Sequence, residues 1–178
     1  LKAQPKKYSY ASSGMGAMSH LAMELFKSVA GVNVVHVPYR GSAPAAVDLI
    51  AGQVQLAMNN IVPTLPHVRS GRLRALAVSG PLRSPVLPEV PTVAASGLPG
   101  YEALQWYGVL LPAKVPPAIA ALLHREISAV LQIPIVRTRL TEEGGDIVGG
   151  TPREFADFIV RETVKWAQVV KTAGVKVE

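Results

Sequence analysis

Ala11-Ser-Ser-Gly14-Met-Gly16-Ala-Met-Ser19-His20 is a run of small and hydroxyl-bearing residues between two patterned segments. Before it, Lys7-Tyr-Ser-Tyr-Ala11 reads as a short strand. After it, Met18, Leu21, Ala22, Leu25, Phe26 and Val29 recur at three- and four-residue spacing, which predicts a helix with one buried face. A small-residue loop feeding a helix leaves backbone N–H groups unpaired at the positive end of the helix dipole. Such an end attracts carboxylate or phosphate. The same residues also suit a plain tight turn in which glycine takes positive φ. The loop alone does not separate these two uses.

Other chemistries find less support. Ser12-Ser-Gly-Met-Gly16 is not the Gly-x-Ser-x-Gly of a hydrolase elbow. A dinucleotide fingerprint would need a third glycine at Ser19 and an acidic residue some twenty positions on; Arg40 ends the second strand instead. The Gly-Lys-Ser/Thr of a phosphate-binding P-loop is missing, and there is no cysteine to serve as nucleophile or thiolate ligand. His20, His36, His67 and His124 read as surface or locally hydrogen-bonded residues, His20 lying in the first turn beside the loop. Asp48, Asp146 and Asp157 sit near helix starts or on helix surfaces and form no acid/base pair. With no nucleophile, base, metal site or cofactor expected, binding without catalysis is the better class.

The elements that must position the loop alternate. Val32–Val37 reads as a buried strand by its β-branched content. Ser42 reads as a helix N-cap with Pro44 in the first turn and Gly52 as the stop. Gln53–Met58 is the next strand, about Pro63–Ser70 a short helix closed by Gly71, and Leu73–Val78 another strand. This alternation implies an α/β lobe with a parallel sheet. Pro81, Pro85, Pro88, Pro91 and Pro99, with Gly97 and Gly100, mark residues 80–100 as a connector, kept against the body by Val86, Leu87, Val90 and Val93. Trp106–Leu111 reads as a strand. Pro116–Leu131 follows as an amphipathic helix with Ile119, Leu122, Leu123, Ile127, Val130 and Leu131 on one face. A short helix over about Ile135–Glu142 and a short strand at Asp146–Val148 are expected next. Thr151-Pro152-Arg153-Glu154 is a capping box with Pro at the first helical position. It opens a helix whose Phe155, Phe158, Ile159, Trp166, Val169 and Val170 stripe predicts core packing.

The 178 residues suit one domain or one and a half small lobes. A hydrophobic share of 49% and mean hydropathy of +0.27 are enough to fill a core. The longest stretch free of Asp, Glu, Lys and Arg, Leu49–Val68, carries Gln, Asn, His, Pro and Gly and is no membrane span. A net charge of +6 favours anionic partners. The basic residues are scattered, with Arg69, Arg72 and Arg74 the densest group, so nucleic acid is not the expected partner. The first residue is Leu and no signal peptide is read, so a processed or truncated chain is expected.

Several runs resemble the receptors of tripartite tricarboxylate transporters, the Bordetella uptake gene family. They are Gly14-Met-Gly16-Ala-Met-Ser19-His20-Leu21-Ala22, then His36-Val-Pro38-Tyr39-Arg40-Gly41-Ser42-Ala-Pro44-Ala45, and Leu73-Arg-Ala-Leu-Ala-Val78. Ser84-Pro85 through Val93, Gly97-Leu-Pro99-Gly100-Tyr101-Glu102, Gly149-Gly150-Thr151-Pro152 and Trp166 continue the match in order. The resemblance implies a type II periplasmic binding fold, here a three-layer α/β lobe with the first lobe missing. It implies a small organic carboxylate held between two strand-to-helix loops, one per lobe. Carried over, Ser13, Met15, Gly16, Ala17, Met18 and Ser19 would form the second of these loops, binding largely through backbone N–H. Tyr39 and Asn59 would line the cleft. Ala17 and Met18 stand where relatives often carry hydroxyls, which implies a more apolar ligand. Asn59 stands where many have an acidic residue, which argues against an amino group on it. The resemblance further implies a periplasmic location and membrane permease subunits as partners of the intact receptor. Residues 1–110 would form the second lobe and 111–178 a helical segment that in the family packs partly on the first. A surface left by the missing lobe leads us to expect self-association. The alternative class is a ligand-sensing effector domain of the same fold.

Overall fold

The computed structural model describes residues 1–175. Its centre is β1 (Ser9–Ser12), whose four residues run parallel to two neighbours. On one side β2 (Val35–Pro38) pairs in the register Ser9 with Val35 through Ser12 with Pro38. On the other, β3 (Leu56–Ala57) pairs with Tyr10 and Ala11. The central position explains why Tyr10, Ala11 and Ser12 are fully buried. Parallel neighbours need crossovers. Here α1 (Met18–Ala30) joins β1 to β2 and α2 (Ser42–Ile50) joins β2 to β3.

Both helices stop for local reasons. Gly31 closes α1 in the left-handed region at φ 63°, and Gly52 follows α2 at φ 76°. Ser42 is the first helical residue of α2 rather than its N-cap. Gly41 takes the cap position at φ 111°, which a residue with a Cβ rarely adopts. Helix α3 (Ile61–Arg69) begins two residues earlier than its expected start and ends at Ser70-Gly71.

The parallel sheet is smaller than the sequence pattern suggests. β2 is an edge strand and half-exposed, with Val35 44% accessible, where a buried strand was expected. β3 retains two of six expected residues. Leu73–Val78 forms no strand: only Val78 bridges, parallel, to Thr92. Trp106–Leu111 has the composition of a strand but no ladder partner among the described residues, and Tyr107 is 85% exposed. Asp146–Val148 is likewise irregular. Strand composition without a neighbour to receive its N–H and C=O groups yields extended chain, not sheet.

The core is built around α1. Met23 packs with Tyr10 and Val34 on the sheet side. Ala22 packs with Val93, Tyr101 and Ala103 of the connector, against which Met18, Leu25, Phe26 and Trp166 also lie. Burial on two sides makes the buried arc wider than one stripe, so Met23 and His20 are covered while Val29 is exposed. The connector is anchored by the Tyr101 hydroxyl, which donates to Ala22 O at 2.8 Å.

Helix α6 (Pro152–Ala173) returns to α1. Its capping box forms as expected: the Glu154 N–H donates to Thr151 Oγ1, and Thr151 N–H donates to Glu154 Oε2 at 2.8 Å. Val169 is buried and Trp166 half-buried, and Phe155 and Phe158 form edge-on pairs with Trp106. Helices α4 (Pro117–Leu131) and α5 (Pro134–Glu142) bury no residue fully, so the predicted apolar face of α4 lies open at Ile119, Leu122 and Val130. No single helix among the described residues is long and apolar enough to cross a membrane.

Candidate functional site

The loop between β1 and α1 is held by side chains of its own neighbourhood. Gly14 N–H donates to Ser12 Oγ at 3.2 Å. Ser13 N–H donates to Ser19 Oγ at 2.9 Å, and the Ser13 and Ser19 hydroxyls are themselves 2.9 Å apart. Gly16, at φ 70°, donates its N–H to His20 Nδ1 at 3.0 Å. Ala17 N–H donates to Gly14 O at 3.3 Å. The N–H groups of Ser13, Gly16 and Ala17 are therefore spent within the protein. Those of Met15, Met18 and Ser19 have no acceptor among the described residues. The α1 N-terminus has neither a side-chain cap nor an acidic residue in its first turn, so its dipole is uncompensated.

Beside this loop lies a small hollow of about 60 Å³, lined by Ser13, Met18, Ser19, Ser42, Asn59, Asn60 and Gln105. Three helix starts meet there. Met18 and Ser19 open α1, Ser42 opens α2, and Asn60 caps α3. None of the three caps makes a side-chain hydrogen bond to its own helix. No lining side chain is charged. Those of Ser42, Asn59, Asn60 and Gln105 find no hydrogen-bond partner among the described residues. Neutral donors and three positive dipole ends suit an anion.

Of the residues expected from sequence, Ser13, Met18, Ser19 and Asn59 meet at this hollow. Met15, Gly16 and Ala17 belong to the loop but do not line it, and Met15 is exposed. Tyr39 follows β2 and packs among Ala11, Ala45 and Val54; its hydroxyl donates to Asp48 Oδ2 at 2.7 Å, which pushes its pKa up. Ser42, Asn60 and Gln105 were not singled out as binding residues. The first two stand at helix starts, a signal available in the sequence. Gln105 arrives through the connector, which no local pattern indicates.

A second feature sits directly behind the loop. The His36 and His20 rings stack at 4.0 Å between centroids, and Tyr10 stacks on His36 at 4.8 Å. His36 Nε2 lies 2.6 Å from Ser12 Oγ. Glu24 receives the Tyr10 hydroxyl at 2.6 Å and Lys27 Nζ at 2.7 Å, with His20 Nε2 3.9 Å away. Burial lowers the pKa of both histidines, that of His36 to about 4, and the neighbouring His20 adds to the latter. His36 is half-buried, and both histidines are hydrogen-bonded, one of the two expectations for them; Glu24 stands one turn beyond His20 on α1. No group of three or more His, Cys, Asp or Glu side chains among the described residues is placed to hold a metal ion.

Residues 1–175 match the family described as the tripartite tricarboxylate transporter family receptor. The chain belongs to that family. Membership in a receptor family accords with the reading of binding rather than catalysis. Among curated relatives, the "UPF0065 protein in tcbD-tcbE intergenic region" of a Pseudomonas species is 41% identical over 93% of this chain and 50% of its own. Protein BugT of Bordetella pertussis is 38% identical over 99% of this chain and 54% of its own. This tripartite tricarboxylate receptor chain thus spans about half the length of both. Among solved structures, Rhodopseudomonas palustris Rpa4515 with adipate superposes with a TM-score of 0.87 at 36% identity. It covers 98% of this chain, which in turn covers 58% of it. MatC of the same organism, with bound malate, gives 0.79 at 32% identity over 93% of this chain and 57% of MatC. The fold is that of these binding proteins, and the α/β lobe with its parallel sheet is what the sequence pattern predicts.

Proposed function

We propose that this chain supplies one wall of a carboxylate-binding cleft in an extracytoplasmic solute-binding receptor. The observation that carries the reading is the neutral hollow on which α1, α2 and α3 all begin. A carboxylate there would accept from the free N–H groups of Met18 and Ser19 and from Ser42, Asn59 and Asn60 side chains. Charge-assisted bonds of this kind are stronger than neutral ones. Met15, Gly16 and Ala17 would shape the loop, and Tyr39 would brace α2 through Asp48 in its last turns. The adipate and malate carried by two neighbours support a small organic acid as ligand. Family membership supports a periplasmic location and a handover of ligand to membrane permease subunits. Residues 1–110 would form the binding lobe. Residues 111–178 would pack in part on a partner lobe, and an unmatched apolar face there would drive self-association.

Isothermal titration with adipate, malate, succinate, citrate, benzoate and nicotinate tests the reading. Saturable binding of at least one acid is expected. Asn59→Asp, which puts a like charge in the hollow, should weaken it at least tenfold. Binding that tolerates Asn59→Asp unchanged would move the ligand elsewhere and refute the assignment.

A further inference from the structure

We propose that His20 is a positioning residue for the anion loop: in its neutral form it holds Gly16, and with it the free N–H groups that would receive the anion. This rests on the anion-site reading of the hollow. The geometry is specific. Gly16 N–H donates to His20 Nδ1 at 3.0 Å, so the neutral ring carries its proton on Nε2, on the side of Glu24. Gly16 sits at φ 70° between Met15 and Ala17, one turn from the free N–H groups of Met18 and Ser19. Only 3% of His20 is accessible, so solvent does not replace this acceptor. Across the ring stack, His36 reaches Ser12 Oγ, which accepts from Gly14 N–H. The two histidines therefore fasten both glycines of the loop.

The arrangement is sensitive to protons. A protonated His20 has no lone pair on Nδ1 and turns an acceptor into a second donor facing Gly16 N–H. The groups around it are Tyr10 from β1, His36 from β2, and Glu24 and Lys27 from α1. Burial and Lys27 hold its pKa below the ordinary value while Glu24 pulls it up. A proton on either ring repels one on the other across the 4.0 Å stack. The loop is consequently locked at neutral pH and released on acidification.

Long-range imidazole ¹H–¹⁵N spectra and amide exchange on the full chain test this without any ligand. At pH 7.5 His20 should show a bare Nδ1 and a protonated Nε2. Gly16 should be protected at least tenfold more in the wild type than in His20→Leu, and His20→Asn, whose carbonyl replaces Nδ1, should restore it. On acidification through the His20 titration, followed in the same spectra, the wild type should lose this protection and His20→Asn should keep it. A His20 ring protonated on Nδ1 at neutral pH, or Gly16 protection indifferent to pH, overturns the proposal even if His20→Leu fails to fold. Adipate titrations run in parallel on wild type and His20→Asn cancel the ligand's own ionisation. The wild type should lose at least fivefold more affinity over this range. Equal losses would refute the ligand role while leaving the anion site standing. No adipate binding anywhere in this range, with the spectra as expected, would refute the ligand role for adipate and confine His20 to loop structure, while the anion-site reading stands or falls on the other five acids.

Discussion

Tyr101 is the side chain whose removal should be felt most widely. It is 2% exposed, packs edge-on against Phe26 at 6.3 Å, and belongs to the cluster joining α1 to the connector. Its hydroxyl donates to Ala22 O at 2.8 Å and touches Met58 Sδ at 3.1 Å. Tyr101→Phe deletes the hydrogen bond but keeps the ring. The Ala22 carbonyl lies inside α1 and keeps its place in the helical ladder, so no buried acceptor is orphaned. The expected loss is about 1 kcal/mol, about fivefold in the unfolding equilibrium. Tyr101→Ala also removes the ring and leaves a cavity under the connector. That should cost about 3–5 kcal/mol, a large part of the roughly 5–15 kcal/mol of a typical domain. Urea unfolding followed by circular dichroism reads both. A Phe variant that loses more than about 2 kcal/mol would show that the hydroxyl is doing more than one neutral hydrogen bond does. An Ala variant that loses less than about 1 kcal/mol would mean that the connector is not held by this residue, contrary to its burial.

Three further outcomes are expected. Stability should fall as pH drops from about 6.5 towards 4. The native fold holds His36 and His20 neutral, so the unfolded chain binds more protons there, and the His36 shift alone corresponds to about 3 kcal/mol at full development; a urea midpoint unchanged from pH 7.5 to 4.5 would contradict this. Thr151→Ala should cost about 1 kcal/mol by removing the N-cap of α6, read as a lowered thermal midpoint, and an unaltered midpoint would mean that α6 contributes nothing to global stability. Light scattering should show association at high concentration through the open apolar side of α4 and Trp106–Leu111, and a clean monomer at millimolar protein would count against it.

The sequence was most legible where chemistry is local. The capping box at Thr151 and the Gly52 stop after α2 each rest on contacts within a few residues, and each stands as read. It misled where an element needs a distant partner. Leu73–Val78 and Trp106–Leu111 have strand composition, yet a ladder depends on a neighbour that periodicity cannot supply. The face of α1 was placed one-sidedly: the predicted stripe of Met18, Ala22, Leu25 and Phe26 meets the connector and α6, while His20 and Met23, buried on the sheet side, fall outside it. Ser13, Met18, Ser19 and Asn59 were named through the family resemblance, and each follows a strand or opens a helix beside the hollow. The His20–His36 stack escaped notice because it joins residues from two elements through the register of β1 against β2.

The docking of α6 on α1 has a kinetic consequence. Elements β1, α1, β2, α2 and β3 are sequential neighbours, so their contacts close short loops and form early. Trp166 reaches the Ala22–Tyr101 cluster from the opposite end of the chain, and that loop closes only after most of the polypeptide has been ordered. The C-terminal helix should therefore arrive last and open first. Native-state hydrogen exchange should then divide the molecule into a slowly exchanging βαβ unit and a faster C-terminal tier in α4 to α6. A nascent chain would hold its loop and hollow in place before its final helix had found its seat.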